Sequence, residues 1–98
     1  MTKRCKEGFV YIISNKNFPN FYKIGVTTDI KNRLRTYQTS SPFRDYKIEY
    51  YIFHPDCYKA EKMIEEQMKY FALSRKNEWY EINLEMAKHR LDDTKNNN

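Results

Sequence analysis

Between Gly8 and Val26 the chain carries two short runs of β-branched and aromatic residues, "GFVYII" and "FYKIGV", around a polar, asparagine-rich middle. Each run has strand character. Ser14 to Asn20 is turn chemistry, and Pro19 is excluded from a central strand because it has no N–H to donate. The connection is short, so the two strands pair antiparallel. Thr27, Thr28 and Asp29 then offer N-caps, and Ile30, Leu34 and Tyr37 recur at i, i+4 and i+7, which predicts a short helix. Pro42 ends it by forcing the preceding residue out of the helical region.

Tyr46 to Phe53 gives the strongest strand signal. Strict alternation places Tyr46, Ile48, Tyr50 and Ile52 on one face and Lys47, Glu49, Tyr51 and Phe53 on the other. Pro55 and Asp56 start a second helix from about Cys57 to Phe71, with Ala60, Met63, Ile64, Met68 and Phe71 as its apolar stripe. Arg75-Lys76-Asn77 has the composition of a loop. Glu78 to Ile82 predicts a short strand, Asn83 a cap, and a last helix runs to about Arg90. The expected order is β-β-α-β-α-(β)-α: an α+β domain with one antiparallel sheet of about three strands packed with helices. Residues 1–7 form a basic arm, 8–82 the main domain, 83–94 a C-terminal helix and 95–98 a frayed tail.

Composition narrows the class. Ninety-eight residues suit one core, and the 16% aromatic content supplies large buried surface per side chain, which argues against disorder. No run approaches the ~20 apolar residues of a membrane span, and the basic N-terminus lacks a signal-peptide pattern. An intracellular protein, cytoplasmic or nuclear, without a membrane partner is the expectation. Cys5 and Cys57 are far apart with no ligand spacing, so a structural zinc is not expected and both read as free thiols. The formal charge of +5 and a pI of about 9.2 point to an anionic partner, nucleic acid first.

Most familiar chemistries are missing: there is no phosphate-binding GxxxxGK[ST], no GxSxG and no HExxH. His54 and His89 have no ligand partner at helical spacing. What remains is a constellation: Tyr11, Tyr22 and Lys23 on the hairpin, Gly25 at the end of its second strand, Arg33 and Tyr37 on the first helix, and Glu61 on the second. Arg33 and Tyr37 lie four apart and share a helical face. A strand glycine such as Gly25 admits close approach by another group. Tyr22 and Lys23 point to opposite faces, so only one of them faces a shared site.

The hairpin "VYI…YKIG", with an arginine eight residues past Gly25, resembles the GIY-YIG nuclease family. Phe9-Val10-Tyr11 stands in place of the first motif and Lys23-Ile24-Gly25 in place of the second. Arg33 has the family's arginine spacing, and Tyr37 follows one turn later. Ala60-Glu61-Lys62-Met63-Ile64 resembles the helix that supplies the family's metal-binding glutamate. Glu78-Trp79-Tyr80 looks like the "EWF" segment of a virus- and phage-rich branch, and the likeness extends over residues 8–82. Taken singly, Tyr11 reads as sheet packing, Arg33 as a solvated helix residue and Glu61 as a surface carboxylate; their joint spacing outweighs those readings.

The resemblance implies an endonuclease that hydrolyses phosphodiester bonds in DNA with one divalent ion, Mg²⁺ or alternatively Mn²⁺. Glu61 would hold the ion, with Glu65, one helical turn on, as the alternative ligand. Arg33 would hold the phosphate through its planar fork, and Tyr11, with Tyr22, would orient or deprotonate the water. Lys31 and Arg35 beside Arg33, together with Lys3, Arg4, Lys6, Lys16 and Arg44, would track the phosphate backbone. No sequence-reading element is appended, so little sequence specificity is expected. The alternative is a nucleic-acid-binding module of the same fold with little or no cleavage. A monomer or weak homodimer is expected, with room for a partner protein that supplies specificity.

Overall fold

A computed structural model describes residues 7–96. Lys3, Arg4, Cys5 and Lys6 of the basic arm, and Asn97 and Asn98 of the tail, lie outside the described residues. Strands β1 (Gly8–Asn15) and β2 (Phe21–Thr27) form the expected hairpin, with Tyr11 opposite Gly25 and Ile13 opposite Lys23. The turn closes through Phe18 N–H to the Asn15 carbonyl (3.1 Å) and Asn17 N–H to the Asn15 side chain (2.8 Å), and Asn20 takes a left-handed φ of 71°.

Helix α1 (Ile30–Thr39) is capped by Asp29, whose carboxylate accepts from the Asn32 N–H at 3.0 Å. Strand β3 (Tyr46–His54) pairs antiparallel with β1, and helix α2 (Cys57–Phe71) starts from an Asp56 cap. Two short strands follow, β4 (Ser74–Lys76) and β5 (Trp79–Glu81), then helix α3 (Leu84–Asn96), capped by Asn83.

The sheet has five antiparallel strands in the order β3-β1-β2-β5-β4, not about three. The unforeseen strand is β4. Its three residues are all exposed, so it carries no burial alternation, and it exists because Asn77 (φ 55°) turns the chain back for Lys76 to pair with Trp79. The last helix also runs past Arg90 to Asn96, so Lys95 and Asn96 are helical rather than tail. Burial of Leu91 and Thr94, with the Thr94 hydroxyl donating to the Leu91 carbonyl at 2.6 Å, extends it.

Helices α2 and α3 cover one sheet face. Val10, Ile12, Ile24, Ile52, Tyr80 and Ile82 meet Ala60, Ile64, Met68, Ala87 and Leu91 there, which makes α3 part of the single core. Helix α1 packs on the opposite face, where Tyr37 meets Tyr46 with ring centroids 5.1 Å apart. The strict alternation expected for β3 breaks at a bulge: Ile12 opposes Tyr50, but Ile13 opposes Ile48. Tyr50 and Ile52 therefore face α2 and α3, while Tyr46 and Ile48 face the α1 side. Glu49, the extra residue, accepts from the Ser14 hydroxyl at 2.6 Å. Among the described residues, no helix is long and apolar enough to cross a membrane.

Candidate active site

Strand β5 pairs with β2 only from Phe21 to Lys23. Beyond that point one edge of β2 carries no strand, and a cleft of about 410 Å³ wraps around it. Its walls come from both sheet faces: Tyr11, Lys23, Gly25, Arg33 and Tyr37 on the α1 side, Tyr58, Glu61 and Glu65 on α2, and Arg75, Glu78 and Tyr80 from the β4–β5 hairpin. Residues far apart in the chain converge because the open edge of β2 lets α1 and α2 look into one space.

The Tyr11 ring lies across Gly25. A Cβ on Gly25 would collide with the Tyr11 Oη and Cζ and stand 3.0 Å from Cε1, which gives the glycine its steric reason. Tyr11 is 1% exposed, and its hydroxyl is 3.3 Å from the Tyr37 hydroxyl. Burial holds the Tyr11 phenol well above the ordinary tyrosine range, and the Tyr37 hydrogen bond adds to this. The positive charges of Arg33 and Lys23 pull the other way without overcoming it. In this site Tyr11 is a neutral phenol, suited to donating and accepting hydrogen bonds.

Lys23 sits over the Tyr37 ring, 5.4 Å from its centroid, and forms an ion pair of 2.9 Å with Glu78. That hydrogen bond holds the Glu78 carboxyl below its ordinary value. The Arg33 side chain is exposed at the cleft mouth, and its guanidinium makes no hydrogen bond or ion pair among the described residues. Glu61 is half-buried. Burial raises its carboxyl pKa, Glu65 raises it further, and Lys23 opposes both. No cluster of three or more His, Cys, Asp or Glu side chains in metal-binding geometry occurs among the described residues; of the α2 acids, Glu61 and Glu65 line the cleft.

Of the residues singled out in the sequence, Tyr11, Lys23, Gly25, Arg33, Tyr37, Glu61 and Glu65 come together. Tyr22 does not. It pairs with Tyr80 on the opposite face and packs against the core, where burial and the Glu49 charge raise its phenol. Lys31 and Arg35 are exposed on α1 outside the cleft, and Arg35 donates to Asn32 at 3.2 Å. Glu78, Arg75, Tyr58 and Tyr80 had not been assigned to the site. Glu78 lay in the recognised "EWY" segment, but its pairing with Lys23 depends on β5 reaching β2, which no local pattern encodes.

The architecture defines a small α+β domain with a polar, mixed-charge cleft at the open edge of a central strand. The chain belongs to the T5orf172 domain family, whose model matches residues 8–95. Neither the curated proteins nor the solved structures give a significant match.

Proposed function

We propose that this chain is a metal-dependent endonuclease domain of the GIY-YIG type that hydrolyses phosphodiester bonds in DNA with little intrinsic sequence preference. The observation that carries the reading is the convergence of Tyr11 and Lys23 from the hairpin, Arg33 and Tyr37 from α1 and Glu61 from α2 on one cleft. The family supports it, because T5orf172 domains are found in phage proteins and in proteins associated with GIY-YIG-like and homing endonucleases.

Arg33, unpaired and exposed, is the group to clamp the scissile phosphate, with its fork matching two phosphate oxygens. Lys23 adds a second cation once a phosphate displaces Glu78 from it. Tyr11 and Tyr37 orient the attacking water by hydrogen bonding. The raised phenol of Tyr11 argues against its acting as the base in the metal-free protein.

The donor set fits Mg²⁺, with Mn²⁺ as substitute. One or two carboxylates at an open cleft suit a hard cation that keeps several waters and takes the rest of its ligands from phosphate. Glu61 carries an electrostatic deficit from burial and from Glu65, and a divalent ion would relieve it. Glu61 would be the principal ligand and Glu65 the second. When bound, the ion supplies charge neutralisation at the phosphate and activation of water.

Purified protein incubated with supercoiled plasmid should nick it with Mg²⁺ or Mn²⁺ and not with EDTA. Arg33→Ala and Glu61→Ala should each lose most of that activity; cutting that persists in both overturns this reading. The Lys23–Glu78 pair favours a second reading, a nucleic-acid-binding module in which Lys23 is held by Glu78 and takes no part in cleavage. Salt-dependent gel shifts without cutting at any metal would select it.

A further inference from the structure

Helix α1 covers only part of its sheet face. Past it, Phe21 on β2, Trp79 on β5 and Lys76 on β4 share that face, because Lys76 opposes Trp79 and both Phe21 and Trp79 lie on the same side as Lys23. No helix covers this end of the face among the described residues. The β1–β2 turn brings Phe18 over it, with Phe18 and Trp79 edge to face at 4.8 Å between centroids. The result is a pocket of about 350 Å³ walled by three aromatic rings, with Lys76 and Asn77 at its rim.

We propose that this pocket seats an unpaired nucleobase of the nucleic acid whose backbone runs through the cleft, so that the preferred substrate has unpaired bases beside the scissile phosphate. The proposal rests on the nuclease reading for its partner and adds the substrate class.

An open sheet face bearing aromatic rings stacks bases without regard to their identity, since every base presents a π-face. The side-chain amide of Asn77 and the ammonium of Lys76 make no hydrogen bond or ion pair among the described residues. The amide meets a base edge, and the ammonium meets the next phosphate of an anionic strand, in keeping with the chain's charge of +5. Pocket and cleft also share a wall. Trp79 opposes Lys23 in the ladder and follows Glu78, the ion-pair partner of Lys23. Tyr46 links them further: it stacks on Trp79 at 6.4 Å and touches Tyr37 at 5.1 Å. A strand leaving Arg33 therefore reaches the rings within a short length of backbone.

Trp79 is the single tryptophan, so its emission reports the pocket directly. The full chain in EDTA is titrated with a short oligothymidylate and with an abasic strand of equal length, binding being followed independently by anisotropy of labelled strands. The thymidylate should quench Trp79 and the abasic strand should bind without quenching. Phe18→Ala, a change at an exposed turn, should weaken thymidylate binding on the order of tenfold and leave abasic binding unchanged. Equal quenching by both strands, or none, overturns the proposal, as does an emission change that follows protein concentration alone, which would mean a second copy covers the face. EDTA separates this test from the nuclease reading. Plasmid cutting with flat emission removes the base seat alone, and quenching without cutting removes the nuclease alone.

Discussion

Replacing Gly25 with alanine drives a methyl group into the Tyr11 ring. The φ of Gly25 is not in the left-handed region, so alanine meets no backbone strain and the whole cost is the collision with Oη, Cζ and Cε1. The ring has little room to yield, being 1% exposed and held against Tyr37. Overpacking of this kind costs about 1–3 kcal/mol. Restricting the unfolded chain returns about 0.4–1 kcal/mol. A net loss on the order of 1–2 kcal/mol remains, and each kcal/mol lowers Tm by about 4–8 °C in a domain of this size. Thermal unfolding of a double-mutant cycle checks the cause. In a Tyr11→Ala background the methyl enters vacated space, so Gly25→Ala should become neutral or stabilising, with a coupling of about 1–3 kcal/mol. Equal destabilisation in both backgrounds would refute the steric argument. Cleavage should fall with the single substitution as well, since the Tyr11 hydroxyl is pushed off Tyr37.

Tyr22→Phe should leave plasmid cutting within about twofold of the parent, because its hydroxyl lies on the core side, while Tyr11→Phe should lower it at least about tenfold. Glu78→Gln releases Lys23 for phosphate, so gel shifts should tighten and the salt slope of binding should steepen; unchanged affinity would separate Lys23 from the phosphate path. Glu61→Gln should abolish cutting yet raise Tm in EDTA at neutral pH, since partial burial and the neighbouring Glu65 disfavour the ionised carboxylate. Asp45 ties the β1–β2 turn to the loop before β3 by accepting from Ser41 at 2.7 Å, from Asn15 at 3.0 Å and from Asn17, and these bonds lower its carboxyl pKa. Its contribution is therefore present above the ordinary aspartate range and lost as pH falls through the depressed value, and Asp45→Asn should flatten the acid limb of a Tm-against-pH curve.

Local chemistry determined much of this protein. The hairpin, the Asp29, Asp56 and Asn83 caps and the limits of α2 follow from residue types and periodicities that act over a few positions, so they are legible in the chain. The strand alternation also makes it certain that Tyr22 and Lys23 face opposite ways. Which of them reaches the cleft is a matter of register: Lys23 opposes Ile13, two residues from Tyr11, and so shares the Tyr11 face. The bulge at Ile12 and Ile13 is equally a property of two strands together, and it redistributes the side chains of β3 that strict alternation had placed on one face. Strand β4 is stabilised by its partner β5 and not by its own composition. The ionic state of the site belongs to the tertiary structure most of all. Tyr11 lies near two cations that favour its phenolate, yet burial against the sheet outweighs them, because desolvation depends on everything packed around a group and not on its neighbours in the chain.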